Sequence, residues 1–229
     1  QVSVFSLDHE SAQRRGFSPD HIVRLGYSDI VPEDIQLLKE TLELTSVAAD
    51  AAYSLENHFG RRNWFSEFLS QSRQELNVLA DAINVNTSAL AALKRRLERI
   101  TRFDFVSEKN VEDSASLIID RLRAGQHVVL EFGKHGNNPT SYMLVANILT
   151  RRIYDRYQRQ KEASLGNLNE EPPNLVITIE EAHRFLSTSM ANQNIFGTIA
   201  REMRKYNVTL LVVDQRPSDI DEEVMSQIG

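Results

Sequence analysis

Cysteine is absent from the chain, which rules out a disulfide framework and any thiolate-ligated metal centre. Glycine and proline are sparse, nine and six among 229 residues, too few for a collagen-like or low-complexity chain. No stretch approaches the roughly 20 apolar residues of a membrane-spanning helix, and the first residues do not resemble a signal peptide. These absences together lead us to expect a cytoplasmic protein. A net charge of −6 excludes a surface coated in basic charge, while leaving room for a local basic strip that holds nucleic acid. Internal repeats are also missing, so the chain is expected to hold one large domain, or a core with a sizeable insertion.

The most informative stretch is Asn174-Leu-Val-Ile-Thr-Ile-Glu-Glu-Ala-His183. Its apolar run is short, β-branched and preceded by Pro172-Pro173, so it is expected to be a parallel strand buried on both faces. The run ends abruptly in Glu180 and Glu181, placing two carboxylates at the carboxyl edge, where open α/β sheets bind their ligands. One carboxylate can help hold a divalent cation, directly or through water, while the other polarises a water for attack on a phosphate. The same pair also reads as acids favoured by the dipole in the first turn of a helix.

Before that stretch, Gln1–Leu7 alternates like a strand and meets Asp8-His9-Glu10. Residues 11–32, punctuated by Gly16, Pro19, Gly26 and Pro32, read as loop. From residue 33 to about 104 the pattern is helical. It is clearest where Leu90, Leu93, Leu97 and Ile100 repeat at steps of three and four. The opposite face carries Lys94, Arg95, Arg96 and Arg99, with Arg102 beyond, either a solvated surface or a contact for DNA phosphates or a neighbouring subunit. We therefore divide the chain into the start of a core (1–32), an inserted helical subdomain (33–104) and the rest of the core (105–229).

In the last part, a helix over 111–124, a buried strand over 127–132 and a helix over 140–161 precede the central strand. A helix over 195–206, a buried strand over 208–213 and a helix over 220–228 follow it. This alternation predicts a parallel, doubly wound sheet. Gly133-Lys134-His135 is not a phosphate-binding loop, since no Ser or Thr follows the lysine and no glycine stands five residues earlier.

The strand over 208–213 ends in Asp214-Gln215-Arg216-Pro217. If it neighbours the central strand, Glu180, Glu181, Gln215 and Arg216 share one crevice suited to phosphoryl transfer. There the acids would handle Mg²⁺ and water, the amide would orient the nucleophile, and the guanidinium would neutralise spreading charge. Arg201 and Arg204, three residues apart, share one helix face. That face can project into a neighbouring subunit's site or form surface salt bridges.

Ile179-Glu-Glu-Ala-His-Arg-Phe185 resembles the Walker B segment of the HerA-type ATPases, a branch of the HerA/FtsK group of ring-forming P-loop motors. Ile199-Ala-Arg-Glu-Met-Arg-Lys-Tyr206, Val213-Asp-Gln-Arg-Pro-Ser218 and Val224-Met-Ser-Gln227 resemble that family's next segments in the same order. Asp8-His9-Glu10 is similar to its acidic tripeptide after the strand beyond the P-loop helix, and is placed with Arg216 on the nucleotide-binding side. The resemblance implies a RecA-like α/β core with parallel sheet and inserted helical subdomain. It further implies a hexameric ring that hydrolyses ATP with Mg²⁺ to translocate on or unwind double-stranded DNA. Glu180 would support Mg²⁺, Glu181 would be the catalytic base, Gln215 the sensor, and Arg201 or Arg204 would face a neighbour's nucleotide. Relatives usually carry Asp where Glu180 stands, a difference the longer side chain can bridge through a metal-bound water. Such motors work with a NurA-like nuclease or an anti-phage effector. The Walker A loop has no counterpart in these residues and is expected outside them. A catalytically weak ring scaffold that displays a partner enzyme, and a P-loop enzyme of another class, are the alternatives.

Overall fold

The computed structural model describes residues 1–109, 112–166, 171–188 and 203–227. It is mixed α/β, and every strand pairing among the described residues is parallel. The chain divides into two compact units, Gln1–Ile148 and Leu149–Gly229.

In the first unit, β1 (Val2–Ser6), β2 (His21–Ile22) and β5 (His127–Glu131) form a three-stranded sheet in the order β2-β1-β5. The β1–β5 register runs from Val2↔His127 to Ser6↔Glu131. Residues 11–32 are not loop throughout, because α1 (His9–Arg14) begins directly after β1. The Asp8 carboxylate accepts from the Ser11 N–H at 3.0 Å, satisfying an amide that the first helical turn leaves without a partner. A short ladder then pairs β3 (Leu25–Gly26) with β4 (Val106–Ser107), so the chain's entry to and exit from the helical stretch lie side by side.

That stretch comprises α2 (Pro32–Leu37), α3 (Ser46–Phe59), α4 (Trp64–Ser70), α5 (Arg73–Ala82) and α6 (Thr87–Ile100). Side chains set several of its boundaries. Thr45 and Asn86 cap α3 and α6, and Ser72 and Glu75 satisfy each other's backbone N–H groups at the first turn of α5. The apolar stripe of α6 is buried at Leu90, Leu93, Leu97 and Ile100. Of its basic residues, Lys94 donates to the Gln71 carbonyl and Arg96 pairs with Glu43, leaving Arg95, Arg99 and Arg102 exposed. Helix α7 (Ser114–Arg123) starts later than 111, because Asp113 caps it by accepting from the Ser116 N–H.

Helix α8 (Pro139–Ser164) extends a little beyond 140–161. Its expected apolar residues Leu144, Ile148, Leu149 and Ile153 are buried. In the second unit, β6 (Leu175–Glu180) pairs with β7 (Val208–Val213), followed by α9 (His183–Leu186) and α10 (Glu222–Gln227). A 3-10 turn covers Met203–Tyr206. The rest of the expected helix over 195–206 lies outside the described residues.

These strands are not buried on both faces, contrary to the expectation from their apolar runs. Leu175 and Ile179 are buried, but Val176, Leu211 and Val213 are about half exposed, as is Val129 in β5. Side chains alternate across a strand, so the β6–β7 ladder has one covered face and one open face among the described residues.

Candidate active site

The β6 and β7 runs are in register along their full length, from Leu175↔Val208 to Glu180↔Val213. Parallel pairing with this register brings their carboxyl ends to the same edge. Glu180 and Glu181 therefore emerge beside Asp214, Gln215 and Arg216. The Ala182 N–H also donates to the Val213 carbonyl at 3.5 Å. The ladder ends at Glu180↔Val213, and Glu181 is the first residue beyond it. Its φ is +52°, in the left-handed region that non-glycine residues rarely adopt and that tends to mark functional sites. Glu181 is about half exposed, and Gln215 and Arg216 are exposed. Glu180 is exposed, and its carboxylate forms no ion pair among the described residues.

The best-held group at this edge is one that sequence reasoning did not select. Asp214, with its side chain only 2% exposed, accepts from the His183 N–H at 2.6 Å, the His183 ring Nδ1 at 2.9 Å and the Arg216 N–H at 2.6 Å. Burial pushes this carboxyl up. Hydrogen bonds from the His183 and Arg216 backbones and from the His183 ring outweigh it and bring the pKa down to about 2. A signal was present, since Asp214 follows its apolar run as directly as Glu180 follows its own. A depressed carboxyl contributes stability that is complete above its ordinary value of 3.8 and lost as pH falls through about 2. Urea midpoints of wild type and Asp214→Asn are accordingly expected to converge as pH is lowered from about 5 to about 2.

In the first unit, Asp8 is buried, and its second carboxylate oxygen accepts from the Lys134 N–H at 3.1 Å. Burial pushes its carboxyl up, but the backbone hydrogen bonds from Ser11 and Lys134, with the Lys134 charge, leave it below the usual value. Both oxygens therefore tie the end of β1 to α1 and to the turn after β5. Gly133 has φ +54°, and a Cβ there would stand 2.5 Å from the Asp8 Cβ. Gly133→Ala is expected to destabilise the protein by about 1–3 kcal/mol, read as a lower urea midpoint. Glu10, in the first turn of α1, is exposed and faces Arg14 at 3.9 Å. Arg201 lies outside the described residues, as does the side chain of Arg204.

The DNA double-strand break repair helicase HerA of Sulfurisphaera tokodaii is 28% identical over 188 residues, covering 73% of this chain and 37% of that protein. HerA of Saccharolobus solfataricus is 28% identical over 168 residues, covering 71% and 31%. HerA of Pyrococcus furiosus reaches 45% identity over 57 residues, 24% of this chain and 10% of that protein. Over the matched part, this chain is a HerA-type homologue. It spans about a third of the length of the first two HerA relatives. No family model matches the chain. Among the described residues, no helix is long and apolar enough to cross a membrane. No cluster of three or more His, Asp or Glu side chains among them could hold a metal ion.

Proposed function

We propose that this chain contributes the Walker B and sensor segments of an ATP-hydrolysing motor that translocates on or unwinds double-stranded DNA. The observation that carries this reading is the in-register parallel pairing of β6 and β7, which sets Glu180-Glu181 beside Gln215-Arg216 at one carboxyl edge. The helices between β3 and β4 are read as an insertion into a RecA-like core.

The donor set at that edge fits Mg²⁺. This ion usually takes one or two carboxylates, often keeping waters and substrate phosphates as its other ligands. Glu180 offers a carboxylate with no ion pair among the described residues, whereas Asp214 has both oxygens engaged. When bound, Mg²⁺ would neutralise charge on the ATP phosphates. Glu181 takes the proton of the attacking water, Gln215 orients that water, and the exposed Arg216 stabilises charge on the phosphate oxygens. Arg201 or Arg204 acts on the nucleotide of the next subunit in a hexameric ring, and Asp8 and Glu10 belong to the nucleotide-binding side. A nuclease of the NurA kind, or an anti-phage effector, is the partner the motor serves.

The test is ATP turnover by the intact protein, with and without duplex DNA, alongside its mass in solution. Turnover stimulated by DNA in a hexamer is the expected result. Turnover in a monomer would point to another class of P-loop enzyme, and its absence under all conditions to a ring scaffold.

A further inference from the structure

We infer that His183 is the positioning residue for Glu181, and that Asp214 is its anchor. This rests on the reading of Glu181 as the base facing the attacking water. His183 opens α9, two residues beyond Glu181, and Asp214 directly follows β7, so the pair bridges the carboxyl ends of the two strands. The His183 backbone N–H and ring Nδ1 both reach the Asp214 carboxylate, at 2.6 and 2.9 Å. Two attachments to one buried, ionised acceptor fix both the position and the rotation of the ring. They commit Nδ1–H to Asp214 and turn Nε2 the other way.

Nε2 then lies 3.9 Å from the Glu181 Oε2. That separation is too long for a direct hydrogen bond, and Nε2 and the carboxylate are both acceptors, so the link is one water that donates to each of them. Glu181 needs such a partner. Its side chain is 56% exposed on a residue with left-handed backbone, and the His183 ring approaches its carboxylate to 3.9 Å. An exposed Glu has several rotamers, and only those aimed at the crevice can meet a water on a phosphate. His183 biases Glu181 towards one of them. The same Asp214 carboxylate holds the Arg216 N–H, so a shift of the Gln215-Arg216 segment is passed through Asp214 and His183 to Glu181.

The discriminating substitutions are His183→Asn and His183→Gln in the intact protein, assayed with ATP, Mg²⁺ and duplex DNA. The Asn amide can keep the donor to Asp214 but has nothing at the Nε2 position, whereas the Gln amide can reach that position. We expect His183→Asn to lower kcat about 10- to 100-fold, with KM for ATP and the melting temperature little changed. His183→Gln should recover most of that loss. Wild-type kcat in His183→Asn overturns the inference, as does an equal loss in both variants that tracks lowered melting temperature. If Glu181→Gln still turns over, the base reading fails and this inference fails with it. If Glu181→Gln is inactive while His183→Asn is fully active, only the positioning role is lost.

Discussion

Glu181→Gln is expected to lower DNA-stimulated ATP hydrolysis by the intact protein about 10²- to 10⁴-fold, the range that a positioned general base contributes. Glutamine matches glutamate in shape and can still hydrogen-bond a water, but it cannot take up the proton released when the water attacks. The backbone at Glu181 is left-handed, φ +52°, and glutamine bears that conformation as well or as badly as glutamate. The side chain is more than half exposed, so little packing changes, and the stability should stay within about 0.5 kcal/mol of wild type. Nucleotide binding should survive, giving a protein that holds ATP without turning it over. Glu180→Gln should behave differently, raising the Mg²⁺ concentration needed for half-maximal turnover more than it lowers the limiting rate. Steady-state kinetics over a Mg²⁺ series separates the two. If both variants fall equally at saturating Mg²⁺, the assigned division of labour between the adjacent acids is wrong.

Much of this edge was legible in the residues because a strand's end is marked by an abrupt change of polarity. Both apolar runs stop at the residue where charge or amide begins, and the β7 boundaries, Val208–Val213, are those expected. Asp214 was harder to weigh. Its importance comes from three hydrogen bonds, two of them from backbone N–H groups whose direction no sequence pattern states. The left-handed turn at Glu181 was hidden for a related reason, since nothing in Glu-Glu-Ala-His asks for positive φ. An apolar run by itself does not distinguish a strand covered on both faces from one covered on a single face. In β6, Val176 and Thr178 are exposed while Leu175 and Ile179 are buried. Helix α1 escaped because its signal, Asp8 as a cap followed by Glu10, fell within a tripeptide read for its charge.

Trp64→Ala is expected to be the most disruptive single change in the helical stretch, costing about 3–5 kcal/mol. Trp64 is fully buried at the start of α4, and its ring stands edge-on to that of Phe65 at 5.4 Å. Its indole Nε1–H donates to the carbonyl of Ile30 at 3.0 Å, just before Pro32 opens α2. Removing the ring leaves a cavity among apolar side chains and also strips a buried carbonyl of its donor, two costs that add in the same direction. Trp64→Phe separates them, keeping much of the volume while still losing the donor, and should cost about 1–3 kcal/mol. Urea denaturation of the three proteins gives both differences directly. If the helical stretch is an insertion that folds around its own core, its far-UV helical signal should unfold at lower urea in Trp64→Ala. The tyrosine environment of the second unit, where Tyr154 and Tyr206 meet edge-on at 5.5 Å, should then keep its wild-type midpoint. A single transition in which both signals move together would mean that the helices and the remaining core unfold as one cooperative body, and that the insertion has no stability of its own.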